Sequence, residues 1–113
     1  MSQNIVFFPK NTTLVAGTYY SEQFDVSEFK TVTTEVIYGG GLGTTPAISG
    51  QLQQSDDLTV WSNVGNAMAP ASVANTPAQD SASNPGRYVR LQMTVTTGNA
   101  TVTFWAKAVA REN

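Results

Sequence analysis

Between Arg87 and Ala110 the sequence reads RYVRLQMTVTTGNATVTFWAKAVA, with apolar and polar residues in strict alternation on both sides of Gly98-Asn99. Side chains along a β-strand point to opposite faces with period two, so this stretch suits half-buried sheet and does not suit an amphipathic helix. A Gly-Asn link is also a favoured two-residue turn, because glycine accepts positive φ without a Cβ clash. The pattern predicts a long antiparallel hairpin with Val95 opposite Val102, Met93 opposite Phe104, Leu91 opposite Ala106 and Val89 opposite Ala108 on one face. The other face then pairs Thr96 with Thr101, Thr94 with Thr103, Gln92 with Trp105, and Arg90 with Lys107. Like charges across a ladder repel. Arg90 and Lys107 therefore call for a carboxylate, either Glu35 from another strand or an acidic patch on a partner.

Short runs of the same kind recur upstream. Lys30 to Tyr38 places Val32, Thr34, Val36 and Tyr38 on one side, and Ala47 to Gln54 places Ile48 and Leu52 inward. Thr13 to Ala16, Tyr19 to Val26 and Leu58 to Val64 read as further strands, the second with Tyr20, Phe24 and Val26 on one face and a bulge moving Glu22 outward. Gly39 to Pro46 reads as a loop, and lacks the glycine spacing or following helix of a phosphate cradle. Gly65 to Gly86, rich in Ala, Ser, Asn and Pro, reads as a mostly surface segment with one short strand near Ala71 to Asn75. No stretch sustains a 3.6-residue period and no repeat is seen. The fold expected is a single all-β antiparallel sandwich, jelly-roll-like, spanning residues 13–113. Residues 1–12 read as an N-terminal arm or an edge strand, since Pro9 cannot donate to a ladder. In that segment Phe7 and Phe8 would point to opposite sides, leaving one without a home inside the domain.

The chain has 113 residues, neither cysteine nor histidine, and a net charge of −2. Disulfides, thiolate chemistry, Cys/His zinc sites and imidazole-based triads are excluded by composition. Nothing in the charge balance favours nucleic acid or anionic membrane. Charged residues are 12 % of the chain against a usual value of about 25 %, and Thr, Ser, Asn and Gln fill the polar positions. The opening MSQNIVFFPKN has no charged leader and only four consecutive apolar residues, so a cytoplasmic protein is expected. Two acidic groupings invite chemistry. Asp56-Asp57 reads as a turn rather than a calcium seat, for want of a spaced oxygen series. Glu22, Asp25 and Glu28 would need a cleft and one raised pKa to act as a glycosidase pair. No catalytic residue, metal ligand or cofactor is assigned, and the protein is expected not to be an enzyme.

QSDDLTVWSNVG, from Gln54 to Gly65, and GRYVRLQMT, from Gly86 to Thr94, carry a resemblance. A serine, an acid turn, a tryptophan four residues after the second Asp, then Val-Gly, and later Arg-Tyr-Val-Arg-Leu resemble segments of two β-sandwich groups. One comprises the decoration (cement) proteins of tailed-phage heads; the other is the discoidin-like, galactose-binding-like family. Asp57-Leu58 departs from both where an Asp-Gly turn is typical. By this resemblance Trp61 is expected between the sheets. The phage likeness implies a virion protein, made in the host cytoplasm, that binds the outer capsid surface. There it would bridge neighbouring copies of the major capsid protein and associate with itself as a dimer or trimer. The candidate interface residues are Phe7, Phe8, Arg90, Trp105 and Lys107, and Trp105 is expected under a loop, against a neighbouring chain, or open to a sugar. The alternatives are a carbohydrate-binding module of discoidin type, using aromatics such as Tyr38 or Trp105, and a tail or baseplate component.

Overall fold

In a computed structural model that describes residues 2–42, 47–70, 76–83, 85–96 and 101–112, the chain forms two antiparallel sheets packed face to face. The strands are β1 (Ser2–Val15), β2 (Gly17–Tyr20), β3 (Phe24–Asp25), β4 (Thr31–Leu42) and β5 (Ala47–Ser55), followed by β6 (Ser62–Asn63), β7 (Thr76–Ser83), β8 (Tyr88–Thr96) and β9 (Thr101–Arg111). Sheet 1 has the order β1-β9-β4-β7; sheet 2 has β2-β8-β5-β6, with β3 also on β8. Because β2 and β3 pair successive parts of β8, they count as one interrupted strand. The result is an eight-stranded jelly roll. Among the described strands, β5 to β6 is the one step across a loop that pairs neighbours within a sheet.

The hairpin expected at the C-terminal end is therefore corrected. β8 lies in sheet 2 and β9 in sheet 1, so they share no ladder. Their inward faces were read correctly: Val89, Leu91, Met93 and Val95 are buried, as are Val102, Phe104, Ala106 and Ala108. These two rows meet across the core instead of along one sheet. The Gly98-Asn99 link lies outside the described residues.

Small residues at the centre of sheet 1 make room for large ones on either side. Ala106, Ala108 and Ala110 of β9 face inward, with Ile5 and Phe8 across one ladder and Val32, Thr34 and Val36 across the other. A register shift between Val6 and Phe8 marks an extra residue on β1. Such a bulge lets two successive side chains share a face. Phe7 meets Phe24 of the opposite sheet edge-on at 5.6 Å, and Phe8 meets Phe104 at 5.3 Å. Both rings have homes in the chain's own core, contrary to the expectation that one lacks them.

Other differences have local causes. Glycine did not end β4, which continues through Gly39, Gly40 and Gly41 with a bulge after Tyr38. Strand β7, TPAQDSAS, pairs with β4 along a segment read as surface, because it holds no aromatic or large aliphatic residue to announce it. The short strand expected near Ala71 to Asn75 lies outside the described residues. In the run expected to be continuous from Tyr19 to Val26, residues 21–23 are out of the ladder. Ser21 is the reason. Its N–H donates to the Leu91 carbonyl and its hydroxyl accepts the Leu91 N–H at 2.8 Å, standing in for a strand carbonyl. Tyr20 consequently faces out while Phe24 and Val26 face in.

Candidate interaction surfaces

The outer face of sheet 1 carries Trp105 and Lys107. β1 skips Trp105 altogether, pairing Phe8 with Ala106 and then Thr12 with Phe104. Pro9, Lys10 and Asn11 make the detour, with Asn11 at φ 68° and the Thr12 hydroxyl donating to the Pro9 carbonyl at 2.6 Å. That excursion swings Lys10 to 5.9 Å from the Trp105 ring, while Lys107 lies 4.5 Å from it. The indole is partly covered by its own chain and has two cations within reach of its ring. Lys107 is directly opposite Glu35 on β4, with Nζ 3.7 Å from Oε1. Beside this pair a crevice of about 400 Å³ is lined by Asn4, Val6, Thr33, Gln79 and Val109. Val6 is 52 % exposed.

Arg90 is on the opposite side of the molecule, on the outer face of sheet 2. The expected clash with Lys107 does not arise, and the two belong to different surfaces. The Arg90 guanidinium carbon sits 4.2 Å from the Tyr20 ring centre and 4.3 Å from that of Trp61. Nε donates to Gln53 Oε1 at 2.9 Å, Gln53 Nε2 donates to Asn63 at 3.1 Å, and Gln92 Nε2 donates to the Tyr20 hydroxyl at 3.3 Å. Trp61 thus lies outside the sandwich, against a cation, and not between the sheets as expected. Tyr38 is 4 % exposed and belongs to the core, so it is not a loop aromatic available to a sugar.

The Tyr20–Arg90–Trp61 group was not legible in sequence. Its members lie on separate segments, and only the register that sets Gln53 opposite Arg90 and Tyr20 opposite Gln92 gathers them. Of the residues singled out, Phe7 and Phe8 pack inward and so do not project as interface, Trp105 and Lys107 share one face, and Arg90 occupies the other.

The acidic positions serve the backbone. At the Ser55 turn, Asp57 Oδ1 accepts N–H bonds from Thr59 and Val60 at 2.9 and 3.1 Å and the Ser55 hydroxyl at 3.0 Å. These donors, the Thr59 N–H first, hold its carboxyl below the usual carboxylate range. Asp56 accepts the Arg87 N–H at 3.2 Å, and Gln54 accepts that of Gly86 at 2.7 Å, fixing the entry to β8. Asp25 is lowered by the Ser27 N–H above all and further by Arg87 at 3.6 Å. A general acid needs the opposite shift. Among the described residues no three His, Cys, Asp or Glu side chains are grouped to hold a metal ion.

Leu58 sits in this turn at φ 65°, where glycine is the ordinary choice, and is 46 % exposed. A β-carbon in the left-handed region costs about 1–2 kcal/mol, and added chain entropy returns part of that when glycine is substituted. Leu58→Gly should raise unfolding stability by about 0.5–1 kcal/mol in urea titration. A loss of stability would show that the leucine side chain is held by packing.

No family model matches this sequence, and no curated protein matches it. Solved structures do match in shape. The SPBc2 prophage-derived protein YomS aligns over 97 % of this chain and 92 % of its own at 14 % identity, with a TM-score of 0.63. The VP2 subviral particle of infectious bursal disease virus covers 99 % of this chain but only 32 % of its own at 8 % identity, with a TM-score of 0.66. The CBM36-1 domain of a multidomain xylanase from a termite hindgut metagenome (Trinervitermes trinervoides) aligns over 96 % of both chains at 8 % identity, with a TM-score of 0.52. At such identities the likeness is one of fold.

Proposed function

We propose that this jelly roll is a structural virion protein of a tailed phage. It binds the outside of the icosahedral head and stabilises it by bridging neighbouring copies of the major capsid protein. The observation that carries this reading is the outer face of sheet 1, where an indole has two lysines near its ring and one of them, Lys107, pairs with the exposed Val6. A tryptophan near the centre of a face is among the usual anchors of protein interfaces. The prophage and viral origins of two of the matched folds support the same reading. The protein works through shape and contact, with no reaction chemistry, and its contacts gain strength from number, since many copies must be released before the shell opens.

The contacts, including those between copies in a dimer or trimer, are made by faces. Both edges of sheet 1 are blunted: Pro9 and the bulges interrupt β1, and Pro77 interrupts the donor row of β7. In a sedimentation assay with empty heads, Trp105→Ala with Lys107→Glu should weaken binding by about 30-fold or more, the cost of losing one interface anchor. The thermal midpoint of the free domain should stay close to that of the parent, because both side chains lie outside the core. Undiminished decoration of heads by a folded double mutant sinks the proposal. Copy number in purified virions separates a head protein, present in hundreds, from a tail or baseplate part, present in a handful.

A further inference from the structure

The outer face of sheet 2 plays no part in that reading, yet it is the more finely built of the two. We infer that it is a binding site for a carboxylate-bearing sugar, with Arg90 as the group that recognises the acid. Tyr20 on β2 and Trp61 before β6 flank β8 on opposite sides, so the guanidinium is held between two rings at 4.2 and 4.3 Å. Its Nε is already committed to Gln53. The remaining guanidinium N–H donors have no hydrogen-bond partner among the described residues. A planar pair of such donors matches the two oxygens of a carboxylate. The hydrogen bonds donated by Arg90 to Gln53 and by Gln53 to Asn63, and by Gln92 to Tyr20, set the group in place before any ligand arrives.

The rest of the face decides what carries the carboxylate. Around Arg90 the outward residues on β5 and β8 include Ser49, Gln51, Gln53, Gln92 and Thr94, with Tyr88 and Ala47 further along. Hydroxyl and amide groups both donate and accept, as sugar hydroxyls do. A nucleic acid or other polyanion would need several cations, and Arg90 is the one cation along the middle of this face. A protein partner would look for an apolar patch at the centre of the face, but of the exposed large hydrophobics, Val6, Val15, Tyr20, Leu58 and Val60, only Tyr20 is in this group.

Trp61 is both part of the site and its reporter. With Trp105→Phe removing the second indole, the tryptophan fluorescence of the full chain should change saturably with 3′-sialyllactose or tri-galacturonic acid. Binding of lactose should be at least tenfold weaker. Arg90→Lys keeps the charge and loses the fork, and should weaken acidic-sugar binding about tenfold, the worth of one charge-assisted hydrogen bond. Should that variant unfold, Tyr20→Ala, which keeps the arginine and removes one flanking ring, should weaken binding as well. No saturable response to either acidic sugar at about 20 mM, well above the millimolar range of weak sites, overturns the inference. So does equal binding of lactose, binding untouched in both variants, or a preference for a glutamate-rich peptide. Head binding through sheet 1 is measured separately and should survive the Arg90 and Tyr20 substitutions, so the two readings fail independently.

Discussion

Phe104→Ala should cost the domain about 3–5 kcal/mol, a large part of the roughly 5–15 kcal/mol that holds a domain of this size together. Phe104 is the largest fully buried side chain, on the central strand of sheet 1. Its ring touches Phe8 from the edge strand and faces the row from Val89 to Val95 across the core. Its small inward neighbour Ala106 cannot expand into the space, and a β-framework pinned by ladders on both sides of β9 cannot collapse into it. In urea titration the midpoint should fall by about 2 M. A loss below about 1 kcal/mol would show that the core is loose around this ring.

Adding volume at Gly50 should also destabilise the domain, by less. Gly50 faces inward from β5, and a β-carbon there would stand 2.8 Å from Cγ2 of Val36 in the opposite sheet and 3.1 Å from the sulfur of Met93. Met93 can bend away, because a thioether chain is flexible. Val36 cannot: it is β-branched, 0 % exposed, and locked in β4 between β7 and β9. Alanine in place of glycine gains some strand stability, about 0.5–1 kcal/mol, but overpacking costs about 1–3 kcal/mol, so the balance is a loss. Gly50→Val should lose more than Gly50→Ala. The diagnostic is the pair: Val36→Ala should offset part of the Gly50→Ala cost, with a coupling above about 0.5 kcal/mol. Simple additivity would mean that the sheets separate at this point instead of clashing.

These two positions also mark how far the sequence could be read. Alternation along β8 and β9 identified the inward rows Val89 to Val95 and Val102 to Ala108, which Ala110 continues, since it reports which face a side chain takes. It carries no information on which strand lies alongside. A local Gly-Asn turn therefore suggested a hairpin where the chain crosses from one sheet to the other. The same limit hid the site around Arg90. Its neighbours are set by the β2–β8 and β5–β8 registers, which depend on contacts far apart in sequence. Phe7 and Phe8 failed for another reason: one extra residue in β1 inverts the parity on which the reading of faces relied. The turn at Asp56-Asp57 was legible because the hydrogen bonds of Asp57 are local: it accepts from the N–H groups of Thr59 and Val60 and from the Ser55 hydroxyl.

The place of β9 between β1 and β4 sets an order of events at synthesis. Of the strands of the sandwich β1 is made before the others and its partner β9 after them, and Ser2 pairs with Arg111. Until that final strand emerges, sheet 1 is split into an unpaired β1 and a β4–β7 ribbon, and the apolar row of sheet 2 has nothing complete to rest on. A nascent sandwich of this topology waits with its hydrophobic residues uncovered and then closes in one late step, so the last of its strands acts as the keystone of the first.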